Sequence, residues 1–498
     1  MCIRDSTKEP LMHLCLELNE MKLLTGMKDL GGGGLSCVVG ELALDGGFGA
    51  RVNLEKVPLK VENMAPWEIW VSESQERMMF TVKPKDVDQV LARCEAWDVE
   101  AVPIGEVITE KRNIVRFNEV EILNLDLEFT TGGPVYSRPY NLPDYDTGPA
   151  APLPEYPTDL GKTILNLISQ PEVASKDWVI RQYDHEVRGK TVLKPIQGPI
   201  GKDVPGDSSV LKPVDDSWKG LALTADVNPY LMEANPYHGT MSAVEEVCRN
   251  LAAVGARIDS LADCLCFGNP RKPDIMGQFK ASCEALRDAA VAVDVPYVSG
   301  NVSLYNETAD GAIPPTPVLM GVGLVEDIRN CTTSDMKKDG SIWLIGKTKE
   351  EMGASLYYRS IGKDCPNIPK TDFDSFMPRM EQLIQAIEQG EVVACHDIST
   401  GGIATAVIEM CMSGNGAKIN LTEEMRADIE LFSESNGRWI VQVAKGSENN
   451  FARRFDHANK IGDVGSKVSF SKNNEIIADF EVEKLRKKWT MPVWDRLA

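Results

Sequence analysis

Two stretches of this chain, Asp29-Leu-Gly-Gly-Gly-Gly-Leu35 and Asp397-Ile-Ser-Thr-Gly-Gly-Ile403, decide how the rest is read. Each is an aspartate, a turn rich in glycine, and then an apolar run at helical spacing. Leu35, Val38, Val39 and Leu42 make that run in the first copy, and Glu41-Leu42 answers to Glu409-Met410. The offset is 368 residues. Three more blocks recur in the same order. Gly49-Ala-Arg-Val-Asn-Leu54 matches Gly416-Ala-Lys-Ile-Asn-Leu421, Ser72-Glu-Ser-Gln-Glu-Arg77 matches Ser433-Glu-Ser-Asn-Gly-Arg438, and Ile104-Gly-Glu-Val107 matches Ile461-Gly-Asp-Val464. The period far exceeds the roughly 20–50 residues of a solenoid repeat. A whole domain has been duplicated, with one copy near 7–130 and the other near 330–498.

Both copies alternate strands and helices, which points to an α/β architecture. Met78–Val82 and Trp439–Val443 read as strands, and Asp86–Trp97 and Glu448–Ala458 as helices. Between the copies, Pro139–Pro157 reads as a linker and Lys194–Lys212 as an extended loop, both from their Pro and Gly content. Gly220–Ala225, Asp263–Phe267, Tyr297–Gly300 and Val318–Val325 read as strands. Gly239–Ala256 and Met276–Val293 read as helices. The expected domains are 7–138, 139–215 as linker and loop, 216–328, and 329–498.

Composition bounds the function. The 498 residues carry a formal net charge of −21, which excludes a basic nucleic-acid-binding surface and requires any phosphate to be met locally by cations, metal or backbone N–H groups. No apolar run approaches the roughly 20 residues of a membrane span, and Met1–Ser6 carries no secretory h-region. The twelve cysteines are dispersed, and the lone Cys264-x-Cys266 reads as packing rather than zinc ligation. A cytoplasmic protein is expected. The tripeptides at Asn301 and Asn306 that fit the glycosylation pattern are therefore not expected to be used. Gly198-Pro-Ile-Gly201-Lys202-Asp203 lacks P-loop spacing, no two of the five histidines stand at i, i+4, and no G-x-S-x-G elbow occurs.

Four places combine residues able to do chemistry. Asp29 beside its glycines suits a Mg2+ ligand, or simply caps a tight turn. Glu73-Ser74-Gln75 offers carboxylate, hydroxyl and amide together, enough to grip an amide or a ribose, or else forms an exposed loop. Ser299-Gly300-Asn301-Val-Ser303 allows close backbone approach at Gly300 and oxygens at Asn301 and Ser303, or is a turn placing Gly-Asn at positive φ. Asp263 could bind an adenine or ribose group, or cap its element. Gln75 and Glu76 become Asn436 and Gly437 in the second copy, so neither copy is assumed active.

Taken together, Asp29-Leu-Gly-Gly-Gly-Gly-Leu, Pro66-Trp-Glu-Ile-Trp-Val-Ser-Glu-Ser-Gln-Glu-Arg77, Ala252–Ala256 with Asp263-Cys-Leu-Cys-Phe-Gly-Asn-Pro, and Val298-Ser-Gly-Asn-Val-Ser-Leu-Tyr-Asn-Glu307 resemble the large subunit of phosphoribosylformylglycinamidine synthase, from about Leu11 to the C-terminus. The resemblance implies an α/β (α+β) fold of the aminoimidazole-ribonucleotide-synthetase-like superfamily. Larger domains would flank a smaller nucleotide-binding one, and the chain would begin inside the family's second domain. The family's catalytic histidines would lie in the part preceding it, leaving this piece inactive alone. Carried over by position, Asp29 and Asn301 would hold Mg2+, Glu73, Ser74, Gln75 and Ser303 would contact formylglycinamide ribonucleotide, and Asp263 and Gly300 would contact ATP. Cys266 departs from the family's usual Asn. A glutaminase would supply ammonia, with a small accessory subunit as a further partner. The alternative is a non-catalytic nucleotide-binding partner of a separately encoded first-half chain.

Overall fold

A computed structural model describes residues 3–133, 135–146, 148–149, 152–183, 185–422 and 424–497. The chain divides after Ser137 into two compact units. Each is described by itself.

The first unit holds the first copy. Strand Leu24–Asp29 pairs antiparallel with Met78–Val82, and a separate four-stranded sheet runs in the order Gly105–Ile108, Gly49–Asn53, Arg112–Phe117, Val120–Asp126. Helix Leu35–Asp45 buries Leu35, Val38 and Val39, as its spacing predicts. Helix Val87–Ala96 buries Val90 and Cys94 against Leu14 and Leu18 of the N-terminal helix.

The second unit contains two sheets. A six-stranded sheet runs Tyr297–Ser303, Arg257–Cys266, Thr316–Val325, Gly220–Asp226, Ser209–Leu211, Thr191–Leu193, and only its first pair is parallel. Helix Pro236–Ala253 packs across it. Asn235 starts that helix by accepting a hydrogen bond from the His238 N–H (3.1 Å), and Pro236 supplies the fixed φ of the first turn. The seven-stranded sheet runs Val392–Asp397, Trp439–Val443, Ser341–Ile345, Ala458–Gly465, Gly416–Leu421, Val468–Lys472, Glu475–Phe480.

The duplication is visible in the pairing. The first copy's pair, Leu24–Asp29 with Met78–Val82, answers to Val392–Asp397 with Trp439–Val443, and its four-stranded sheet answers in order to the last four strands of the seven. In both copies one inner pair is parallel, Gly49–Asn53 with Arg112–Phe117 and Gly416–Leu421 with Val468–Lys472. The difference is one strand. Ser341–Ile345, apolar and buried on both faces, joins the two halves of the second sheet. Among the described residues the first copy has no counterpart, so its sheet is split in two.

Three expectations need correction. Lys194–Lys212 is not a plain loop. It contributes the short strands Ile196–Gln197, Val204–Pro205 and Ser209–Leu211, the last closing onto the six-stranded sheet. Gly300-Asn301 is no turn, because Tyr297–Ser303 continues as a strand through both, held by parallel pairing to Arg257–Cys266. Helix Glu448–Arg454 stops short of Ala458, which opens the strand paired with Ser341–Ile345.

Trp439 anchors the second unit. It is fully buried, stacks on Phe376 with centroids 5.6 Å apart, and donates its indole N–H to the Arg249 carbonyl (3.0 Å). Trp439→Ala is expected to cost about 3–5 kcal/mol in urea unfolding of this unit, the range for a large buried aromatic.

Candidate functional site

Both glycine turns are locked in the same way. Helices Leu35–Asp45 and Gly402–Cys411 begin at glycines with no side-chain cap. In each copy a carboxylate from a distant loop instead accepts a backbone N–H of the glycine turn just ahead of the helix. Gly33 N–H donates to Glu73 Oε1 at 2.8 Å, and Gly401 N–H to Glu434 Oε1 at 2.8 Å. An arginine then holds each carboxylate's loop. Arg77 donates to the carbonyls of Ser74 (2.9 Å) and Ser72 (2.5 Å), and Arg438 donates to those of Ser435 (2.8 Å) and Ser433 (2.6 Å). The paired serines lie 3.1 Å apart in the first copy and 2.9 Å in the second. Close packing demands glycine at Gly34 (φ +55°) and Gly402 (φ +68°). A Cβ there would lie 2.0 Å from the Ser72 oxygen or 2.6 Å from the Leu431 oxygen.

Of the residues singled out from sequence, Asp29, Glu73, Ser74 and Gln75 lie in the first unit. There the turn and the loop are brought together. Asp29 ends its strand beside the glycines, exposed and with no hydrogen-bond partner among the described residues. Gln75 donates to the Glu73 carbonyl (3.2 Å). In the second copy the equivalent loop is covered. Glu434 also accepts the Leu356 N–H (2.9 Å), and Ser433 and Ser435 donate to the Lys349 carbonyl. Burial pushes the Glu434 carboxyl up to about 7 against the two N–H donors that oppose it. The same serine-glutamate-serine arrangement is thus open in one copy and plugged in the other.

Asp263, Gly300, Asn301 and Ser303 lie in the second unit on adjacent strands, with Asp263 opposite Gly300. The Asp263 carboxylate lies over Gly300, where a Cβ would be 3.1 Å from either oxygen, and burial raises its pKa. Asn301 donates to Cys264 Sγ (3.4 Å), so its own oxygen has no donor among the described residues. Ser303 donates to Asn306 Oδ1 (3.3 Å). Cys264 and Cys266 touch each other, Sγ to Sγ 3.8 Å.

Sequence reasoning did not find the most heavily charged part of the second unit. Asp397, the duplicate of Asp29, is buried and accepts from Arg249 Nε (3.1 Å). Arg249 also pairs with Glu245 and reaches Glu246 at 3.6 Å. His396 lies between Asp207 (2.5 Å) and Glu409 (3.2 Å), and Asp207 also accepts the Asp397 N–H (3.2 Å). Burial favours a neutral imidazole, but the two carboxylates prevail and raise its pKa well above the ordinary value. Burial, then the charge of Asp397, pushes Asp226 up to about 7. Ligand atoms of Asp207, His396 and Asp397 lie within 4.8 Å of one another, close enough to hold one ion. The available signal was Glu245-Glu246-x-x-Arg249-Asn250 on an otherwise apolar helix. Asp207 gave none, because its partner is 189 residues away.

The comparisons agree with this architecture. The model of the AIR synthase related protein C-terminal domain matches residues 3–118 and 337–471, and that of the N-terminal domain matches 205–325. The chain is 35% identical over 492 residues to the phosphoribosylformylglycinamidine synthase subunit PurL of Thermoplasma acidophilum, covering 97% of this chain and 64% of that protein. Against the subunit of Thermococcus sibiricus it is 39% identical over 481 residues, covering 95% and 65%. The chain thus spans less than two thirds of the length of these curated relatives. Among solved structures, Thermotoga maritima PurL complexed with ATP aligns at 23% identity with a TM-score of 0.64, over 92% of this chain and 66% of that one. Among the described residues no helix is long and apolar enough to cross a membrane.

Two predictions follow from the lock. Gly34→Ala and Gly402→Ala should each destabilise their own unit by roughly 3 kcal/mol or more, from left-handed strain plus a backbone clash, read by urea unfolding. Glu434 is protonated more readily folded than unfolded. Its contribution is complete below the unfolded carboxylate value of about 4.3 and is lost as pH rises through about 7. Glu434→Gln should therefore flatten the fall in stability between about pH 4 and 7, and an unchanged slope would count against burial as the cause.

Proposed function

The chain belongs to the AIR synthase related protein family, and from that premise we propose that it carries part of the machinery converting formylglycinamide ribonucleotide to formylglycinamidine ribonucleotide at the expense of ATP. The observation that carries this reading is the open Glu73-Ser74-Gln75 loop, held rigid by Arg77 and by the Gly33 N–H while its polar side chains stay exposed. A loop fixed before the ligand arrives loses little entropy on binding it. Glu73, Ser74, Gln75 and Ser303 are assigned to the ribonucleotide. Asp263 and Gly300 are assigned to ATP, where the missing Cβ lets a nucleotide approach the backbone.

In the proposed reaction the γ-phosphoryl group passes from ATP to the amide oxygen, leaving ADP. Ammonia then attacks the amide carbon, and the C–O bond breaks to release phosphate and leave the amidine. A glutaminase partner supplies the ammonia, with a small accessory subunit alongside, in the cytoplasm. Asp29 and Asn301 are assigned to Mg2+, and their oxygens fit a hard cation because neither accepts a hydrogen bond from a described residue. Bound Mg2+ supplies charge neutralisation for the phosphates. The chain's own task is to bind, orient and keep the amide in line.

A second reading is a non-catalytic nucleotide-binding partner of a separately encoded chain. It is favoured by strand Tyr297–Ser303, whose Val298 and Val302 are both exposed.

Titration calorimetry with Mg2+ present separates these readings. On the proposed function the chain binds formylglycinamide ribonucleotide, and Glu73→Ala or Ser303→Ala weakens that binding roughly tenfold, as for a lost charge-assisted hydrogen bond. Gly300→Ala weakens ATP binding by a similar factor by crowding Asp263. Binding of ATP without the ribonucleotide favours the second reading, and binding of neither sinks both.

A further inference from the structure

The second copy has a cavity of about 250 Å3 that no residue assigned above explains. Lys347, Lys349, Lys370 and Arg379 line it, together with His457 and two acids, Glu245 and Asp372. In a chain of net charge −21, four cations on one small cavity are a local inversion of sign. The two acids offset them in part, Asp372 acting on Lys349 and Arg379 and Glu245 on Arg379. Glu245 is already paired with Arg249 and accepts the Gly437 N–H (3.1 Å), and Asp372 caps the helix Phe373–Glu388 by accepting from Ser375. The Lys347 and Lys370 ammonium groups have no hydrogen bond or ion pair among the described residues, and that of Lys349 has a long pair with Glu351 (3.7 Å) and the field of Asp372. Unpartnered lysines around a recess form an anion site rather than a stabilising network.

Comparison of the two copies shows how the cavity arose. Glu76 and Gly437 occupy equivalent positions with the same left-handed backbone, φ +59° and +73°. At Gly437 a Cβ would lie 3.2 Å from Arg379 Nη1, and the Gly437 carbonyl accepts from that same nitrogen at 3.0 Å. Loss of the glutamate side chain therefore makes room for a guanidinium. Among the described residues only Nη1 of Arg379 finds an acceptor, which leaves the other donors of its planar fork for a ligand. The first turns of the helix Phe373–Glu388 line the same cavity through Ser375, Phe376 and Arg379, while the helix's own positive end is already met by the Asp372 carboxylate.

We propose that this cavity binds the phosphate group of a small phosphomonoester of about the size of a pentose phosphate. Four cations suit a dianion, and a volume below the roughly 300–1,000 Å3 of drug-sized pockets suits a small phosphorylated group. The site is separate from the residues assigned to ATP and the ribonucleotide, and it stands whether or not that assignment holds.

The test is titration calorimetry of the full chain with ribose 5-phosphate and with ribose, at low and high salt. The expected result is binding of ribose 5-phosphate that weakens with salt and drops at least tenfold in the Lys347→Ala, Lys370→Ala double variant, with ribose silent. Both lysines are exposed and unpaired, so the variant should keep the wild-type unfolding midpoint. Arg379→Lys gives an independent second readout, retaining charge but losing the fork, and should weaken binding severalfold. Absence of binding to the wild-type chain, equal binding of ribose, or binding indifferent to the two lysines would each overturn the proposal.

Discussion

A carboxylate reaching across to a glycine N–H, with an arginine bracing the loop it comes from, is the constraint on which both duplicated domains are built. The turn needs glycines because backbone from the partner loop occupies the space a Cβ would take. Glycines offer the helix that follows no side-chain cap, and the turn ahead of it is held by a carboxylate from 40 residues away in one copy and 33 in the other. Because a turn and a loop meet at this single bond just ahead of the helix, the loop's remaining polar side chains are held by short contacts within the loop, Ser72 to Ser74 and Gln75 to the Glu73 carbonyl in the first copy.

The same lock has been put to different uses. In the first unit Glu73 and its neighbours face outward, and the Asp29 carboxylate accepts no hydrogen bond from a described residue. In the second unit the chain's own Lys349 and Leu356 cover the equivalent loop, and Asp397 is bound into a buried network with Arg249 and, through Asp207, His396. Such a network contributes less to net stability than its ion pairs suggest, since each charge has given up its hydration. Removing any one member would leave the others uncompensated, which makes it a fastening between the helix Pro236–Ala253 and the seven-stranded sheet.

Much of this was legible in the sequence. Turn glycines and serine-glutamate-serine blocks are local signatures, so the duplication, the strands Met78–Val82 and Trp439–Val443, and the helices after each turn could be read directly. What was not legible depended on distant partners. Gly300-Asn301 favours a turn by itself and becomes strand only because Arg257–Cys266 lies alongside. Asp207 lies in a stretch whose Pro and Gly content conceals its role. The change from Gln75-Glu76 to Asn436-Gly437 could be seen in the sequence, but its meaning required Arg379, which belongs to another helix.

The divided sheet of the first copy has a consequence for strand pairing. Ser341–Ile345 is the middle rung of the second sheet, and where its equivalent would run in the first copy, Met78–Val82 and Gly105–Ile108 each present an edge with no strand beside it among the described residues. Such edges act as templates for any extended polypeptide of suitable register. A strand of suitable register seated there would join the two sheets of this unit into one, as Ser341–Ile345 does in the second unit.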